Sequence, residues 1–213
     1  MRRLHPDASF IGPYEKNKAY GSLPVEQWLY ANRERIRGTV LDMSTPRALH
    51  EWIYQLPSVG KVLISDLHPG EVEKMGFRSP VDIAGDFCAE ELPVPPESFD
   101  TILCISILEH CENPLAMVKN FQRLLRLQGV VFILCPYVAI DGHMDPDYWR
   151  FGRDAYLLMA RKAGLRVVQT GQIGDMGKYL LYEIGENAKA KSWHRGIPLS
   201  NWMIAQKVDS LDR

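Results

Sequence analysis

Residues 85–137 read GDFCAEELPVPPESFDTILCISILEHCENPLAMVKNFQRLLRLQGVVFILCPY. Two apolar runs, Phe99–Ile107 and Val130–Cys135, flank a helical pattern from Pro114 to Leu127. Continuous apolar runs of that length are strands buried on both faces. Asn113 can cap the helix, Pro114 suits its first position, and Gly129 follows its end. The order strand, helix, strand is a parallel β-α-β unit. An acidic loop with Leu92-Pro93 precedes the first strand, where a ligand loop would lie.

The alternation extends outward on both sides. Leu23–Arg37 (LPVEQWLYANRERIR) has the spacing of an amphipathic helix with Val25, Trp28, Leu29 and Ile36 inward and Gly38 at its end. Strands are expected at 39–43, 61–67, 81–84, 165–170 and 202–208, and helices at 46–56 and 153–163, the latter ended by Gly164. The expectation is an α/β protein with a doubly wound, mostly parallel, seven-stranded Rossmann-like sheet and helices on both faces. Residues 1–38 form an N-terminal arm and helix, and 39–213 form the main domain. The arm, with His5, Tyr14 and Tyr20, has the composition of a lid.

The bulk composition narrows the function classes. The chain has 213 residues, 46% hydrophobic and 24% charged, with a net charge of -1. No global basic field invites nucleic acid or an anionic membrane. No apolar stretch approaches a membrane span, and none follows the two N-terminal arginines as a signal peptide would require. The four cysteines, Cys88, Cys104, Cys111 and Cys135, show no CxxC spacing and read as reduced thiols rather than a zinc site. A cytoplasmic location is expected, and homodimerisation is open.

In open α/β sheets, ligands sit at the carboxyl ends of the strands. Asp66, which ends the second strand beside Leu67, places a carboxylate where two adjacent ribose hydroxyls can be bound. Asp42 ends the first strand. Ile105 and Ser106 end the fourth and approach a ligand by backbone. The segments around Asp86–Phe87, Leu92-Pro93, Ser98-Phe99-Asp100 and Leu108-Glu109-His110 resemble the class I S-adenosylmethionine-dependent methyltransferases over roughly residues 38–171 plus the last strand. The resemblance implies S-adenosylmethionine as cofactor, with S-adenosylhomocysteine as product. It implies that Asp86 meets the adenine amino group and Phe87 lies against the ring. Asp100 reads as structural.

The first motif departs from that family. Its usual D-x-G-x-G-x-G is replaced by Asp42-Met43-Ser44-Thr45-Pro46-Arg47-Ala48. Glycine permits positive φ and close backbone approach, which Ser44, Pro46 and Ala48 do not reproduce. Either the cofactor binds in a rebuilt loop, with Arg47 near a helix N-terminus helping to hold the methionine carboxylate, or it binds weakly until substrate or a partner closes the arm. The remaining alternative is a non-catalytic, methyltransferase-like partner or regulatory subunit. A nicotinamide dinucleotide fits less well, because no GxGxxG follows the first strand.

After the fifth strand, Tyr137 leads into His143-Met144-Asp145-Pro146-Asp147-Tyr148-Trp149-Arg150-Phe151. This resembles the H-x-x-P-x-D-Y-W-R-F segment of methyltransferases that act on glycans and small metabolites. His143 and His110 are the candidate proton acceptors, since imidazole titrates near neutrality. Tyr137, Asp145, Asp147, Tyr148, Trp149 and Arg150 are candidate contacts to a small, polar acceptor methylated on oxygen or nitrogen. The carboxylates are compatible with Mg²⁺ but too few to predict it.

Overall fold

β4 (Phe99–Ile105) is enclosed on both faces, and the other elements are arranged around it. The computed structural model describes residues 22–43, 51–66, 81–92, 94–138, 146–173 and 200–209. Along β4, Ile102 and Cys104 point to one face of the sheet and Leu103 and Ile105 to the other. Both sets are apolar, so both faces must be covered.

The other strands are β1 (Gly38–Asp42), β2 (Val59–Asp66), β3 (Ile83–Ala84), β5 (Leu125–Pro136), β6 (Leu165–Ile173) and β7 (Ser200–Lys207). Their spatial order is β3-β2-β1-β4-β5-β7-β6. Pairing is parallel from β3 to β5, and β7 runs antiparallel between β5 and β6. The expected mostly parallel, seven-stranded sheet is therefore the fold.

One face carries α2 (Pro114–Leu124) and α3 (Arg153–Ala163). Met117, Val118, Phe121 and Leu124 of α2 meet Ile102, Cys104, Val131 and Ile133 there. The other face carries α1 (Ser22–Ala31) and a 3₁₀ turn at Glu51–Gln55. Trp28, Leu29 and Ile53 pack there with Phe132, Trp202 and Ile204. Each fully buried side chain of this size contributes about 1.5–3 kcal/mol.

Boundaries differ from the sequence pattern in instructive places. α1 ends at Ala31, and a separate 3₁₀ turn at Arg33–Arg35 carries the chain to the buried Ile36. α2 stops at Leu124, three residues before the expected end, because Leu125 already pairs with Phe99. The register then shifts, and pairing resumes at Val130 with Thr101. Gln128 in that interval is left-handed, φ 64°. Gly129 thus belongs to an irregularity within β5 rather than capping α2. Asn113 does cap α2, accepting from Ala116 N–H at 3.1 Å, and Gly164 ends α3 at φ 75°.

Gly38 does not end a helix but opens β1, with φ 64°. A Cβ there would meet the Asp100 carboxylate. That carboxylate accepts from Thr39 N–H at 2.8 Å and from Arg126 at 2.6 Å, joining the starts of β1, β4 and β5. Asp100 is structural, as the sequence suggested. Gly38→Ala is expected to cost about 2 kcal/mol of unfolding free energy in urea, from backbone strain plus the clash. Adding Asp100→Ala should relieve the clash and leave the double variant more stable than the sum of the singles. Strict additivity would show that the two residues are not in conflict.

Candidate active site

Parallel register brings the strand ends into one line. Asp42 lies opposite both Ile64 and Leu103, Asp66 opposite Ala84, and Ile105 opposite Leu134. Asp42, Asp66, the 84–88 turn, Ile105–Ser106 and Pro136–Tyr137 therefore share the carboxyl edge of the sheet. The order reverses around β1, whose neighbours are β2 and β4, so this is the crevice where such folds take ligands.

Each predicted cofactor-side residue occupies a distinct environment. Asp42 is buried and accepts from the Tyr54 hydroxyl at 3.1 Å. Asp66 is partly exposed. Asp86 is exposed and accepts from Cys88 N–H at 2.7 Å, which closes a tight turn. Phe87 is packed in the core, not laid open on the surface. Buried Asn120 of α2 donates to the carbonyls of Phe87 and Ala89, both at 2.8 Å, and so pins this loop from below. Ile105 is buried, whereas Ser106 is exposed with φ 56°. A left-handed non-glycine residue at a strand end carries strain, and such strain concentrates at ligand sites. Ser44, Arg47 and Leu67 lie outside the described residues.

The acceptor-side residues assemble on a single turn. The 3₁₀ turn Leu108–His110 follows β4, and residues 146–151 dock on it. Tyr148 N–H and Trp149 N–H donate to the Glu109 carbonyl at 2.9 and 3.3 Å. The Trp149 indole N–H donates to the Cys111 carbonyl at 2.7 Å. His110 Nδ1 lies 2.5 Å from the Pro146 carbonyl. Arg150 forks onto Asp147 at 2.5 and 2.6 Å, so these two residues engage each other. Tyr137, Tyr148 and Trp149 remain 39%, 49% and 42% exposed, leaving aromatic surface at the mouth. Trp149 also stacks on the buried Phe151, so one ring both anchors the segment and faces outward. His143 and Asp145 lie outside the described residues.

Among the described residues, no group of three His, Cys, Asp or Glu side chains is placed to hold a metal ion. No helix among them is long and apolar enough to cross a membrane. The four cysteines are free. Cys104 and Cys135 are core residues. Cys88 and Cys111 are half-buried; the Cys111 thiol donates to the Ile107 carbonyl at 3.5 Å, and the proximity of the two thiols lowers the Cys88 pKa and raises that of Cys111. A hollow of about 290 Å³ lies between Glu34, Arg37, Val130 and Gln206, at the amino end of β5, and contains none of these strand ends.

Glu109 is the site residue that sequence reasoning passed over. Its side chain is fully enclosed, and among the described residues neither carboxylate oxygen finds a well-formed hydrogen bond. The Cys135 thiol, a weak donor, lies against it. Burial pushes its pKa above the usual 4.5; its own backbone and the neighbouring His110 oppose that rise, and Asp147 adds to it. Its signal in sequence was its place in the Leu108-Glu109-His110 segment, directly after an apolar strand.

A raised folded-state pKa means that the native chain binds more protons than the unfolded chain above the usual carboxylate value. The stability contributed by neutral Glu109 is therefore present below pH 4.5 and is lost as pH rises through the folded-state pKa. Glu109→Gln removes this dependence. Its unfolding free energy should gain on the parent chain as pH increases from 4.5 and then level off, as measured by urea denaturation across pH. A pH-independent difference would rule out the buried neutral carboxyl.

Comparison with known proteins agrees with this arrangement. Residues 46–133 match a family model described as a methyltransferase domain. Two chloroplastic 2-methyl-6-phytyl-1,4-hydroquinone methyltransferases of Oryza sativa subsp. japonica are 28% and 27% identical over 167 residues, which cover 71% of this chain. The chain spans 41% and 43% of the length of those relatives. A SAM-dependent methyltransferase of Archaeoglobus fulgidus has the same fold, with a TM-score of 0.66 at 14% identity, over 94% of this chain and 100% of that one. Residues 46–133 thus match a methyltransferase domain, and the chain has the fold of an S-adenosylmethionine-dependent methyltransferase.

Proposed function

We propose that the protein transfers a methyl group from S-adenosylmethionine to an oxygen or nitrogen of a small molecule that carries polar groups on a flat face. The observation that carries this reading is the docking of Tyr148 and Trp149 on the turn that follows β4 at the carboxyl edge of the sheet, with both rings left partly exposed.

The residues present suit the cofactor. Asp66 offers a partly exposed carboxylate for the ribose hydroxyls. Ser106, held in a strained conformation at the end of β4, offers backbone rather than side-chain contact. The Asp86–Cys88 turn, with its backbone held by Asn120, offers the adenine side. When bound, S-adenosylmethionine supplies a methyl group on a positively charged sulfur. The task left to the chain is to align the acceptor and take up its proton.

Exposed aromatic rings orient an acceptor by stacking at small entropic cost. The Arg150–Asp147 fork keeps the segment rigid, because two parallel charge-assisted bonds fix both side chains. His143 is the proton acceptor in this reading. His110 is turned toward Pro146 and Glu109 instead. The rice relatives are named for a hydroquinone, so ring hydroxyls belong in the acceptor panel beside sugars and aminoglycoside-like amines.

Calorimetry with S-adenosylmethionine and S-adenosylhomocysteine tests the cofactor. Binding is expected, and Asp66→Ala should weaken it by about 2 kcal/mol, roughly 30-fold. Absence of heat with either ligand from a folded sample would sink the assignment and favour a non-catalytic role. Mass spectrometry of the acceptor panel then reports methyl addition. His143→Ala should suppress that addition while leaving S-adenosylhomocysteine binding intact.

A further inference from the structure

α2 buries five residues, and four of them, Met117, Val118, Phe121 and Leu124, are apolar. The fifth is Asn120. A helix that only packed would carry an apolar side chain at that place on its inner face. The Asn120 amide instead meets a loop. Its Nδ2 donates to the Phe87 carbonyl and to the Ala89 carbonyl, both at 2.8 Å, which occupies both amide hydrogens. Its Oδ1 accepts from Arg123 Nη1 at 3.1 Å, and the same nitrogen donates to the Glu90 carbonyl at 3.0 Å. The carbonyls can only accept, so the orientation of the amide is fixed. The carbonyls of Phe87, Ala89 and Glu90 are thus drawn onto α2. The N–H groups of the same loop turn to Asp86. Cys88 N–H donates to Asp86 Oδ1 at 2.7 Å, and Ala89 N–H donates to the Asp86 carbonyl at 3.2 Å. Phe87 buries its ring in the cluster that holds Met117 and Phe121, while Asp86 stays exposed above this anchor.

We propose that Asn120 is a positioning residue for cofactor binding: by holding the 87–90 backbone onto α2, it sets the Asp86 carboxylate where the adenine amino group is received. The proposal rests on the S-adenosylmethionine reading and deepens it, because control of base recognition then lies in the helix beneath the loop as well as in the loop. Asn120 is buried and acts through its neighbours. Without its two donors, the Phe87 and Ala89 carbonyls lose partners in a closed site, and the loop must lift to reach water. Asp86 moves with it, because both of the bonds above tie it to that loop. Arg123 acts at one further remove, through Glu90 and the Asn120 oxygen, so its effect is smaller in the same direction.

The test compares S-adenosylhomocysteine with S-inosylhomocysteine by calorimetry, in the parent chain and in Asn120→Leu. Leucine has nearly the shape of asparagine and suits a helix, so the variant keeps α2 packed and loses both donors. Inosine carries a carbonyl where adenine carries its amino group, and a carboxylate cannot accept from a carbonyl. The parent should therefore prefer the adenosyl ligand. Asn120→Leu should weaken the adenosyl ligand about tenfold and the inosyl ligand much less, so that the preference collapses. Amide hydrogen exchange of the unliganded chains should be faster at Cys88 and Ala89 in the variant, with β4 unchanged. A merely structural role would lower both affinities by one factor and leave the preference as it was; that result overturns the proposal. So does a parent that binds both ligands equally. A parent that binds neither sinks the S-adenosylmethionine reading, and the proposal falls with it. If Asn120→Leu does not fold, Arg123→Ala, at an exposed position, decides with the same two ligands, and its preference should fall about threefold.

Discussion

Burial of β4 on both faces is the constraint on which the architecture rests. Phe99, Ile102, Leu103 and Cys104 are fully enclosed, and neighbours pair with the strand along both edges. A strand with no polar face cannot sit on a one-sided sheet, so helices must cover both sides. Parallel neighbours then require long crossovers, and every crossover starts at the same edge. The polar residues expelled from the core collect at the ends of the strands. At the amino edge they stitch the structure, as Asp100 does between Thr39 and Arg126. At the carboxyl edge Asp66, Asp86 and Ser106 remain accessible.

The two edges also differ in how they use backbone strain. Glu97 and Gln128 are left-handed near the starts of β4 and β5, and both are held by local bonds. Glu97 N–H donates to Arg123, its carbonyl accepts from Arg126, and its carboxylate meets Lys207. The Gln128 carbonyl accepts from Arg37 and Gln206. Ser106 is left-handed at the opposite edge, held through its N–H to the Leu134 carbonyl at 2.8 Å, with its side chain exposed. Strain that closes a turn needs no ligand to account for it. Strain that presents an exposed residue at the switch point fits a binding role.

What could be read in the sequence was whatever is local or periodic. The two-faced pattern of β4 and β5, the Asn113 cap, the Gly164 stop and the order of elements all depend on neighbours within a few residues. The premature end of α2 was not legible, because it follows from Leu125 pairing with Phe99 across 26 positions. Gly38 looked like a helix terminator; its real constraint is a carboxylate 62 positions away. Glu109 stood in the Leu108-Glu109-His110 segment of the resemblance with no role of its own. Its burial depends on residues 146–151 folding back across it, and no local pattern encodes that closure. The same fold-back sets the Pro146 carbonyl against Nδ1 of His110, so a histidine that suggested proton transfer in sequence is engaged within the structure.

A buried polar group without its full complement of hydrogen bonds costs on the order of 1–3 kcal/mol. The surroundings of Glu109 show how the fold tolerates that cost. Leu108 precedes it and is fully buried, and Tyr156 and Phe151 close the same cluster, with ring centroids 5.7 Å apart. Burial of those rings returns more than the carboxyl costs. The Asn201 side chain donates to the Phe151 carbonyl at 2.9 Å, so β7 supports the far end of the docked segment while the turn after β4 supports the near end. A segment held at its near end by backbone acceptors and at its far end by a side-chain donor can present Tyr148 and Trp149 in fixed positions without a helix or strand of its own. Packing and presentation are therefore not rival roles for the Tyr-Trp-Arg-Phe run. Phe151 and Arg150 anchor the segment, and that anchoring is what lets the two exposed rings serve as a pre-set surface for an acceptor.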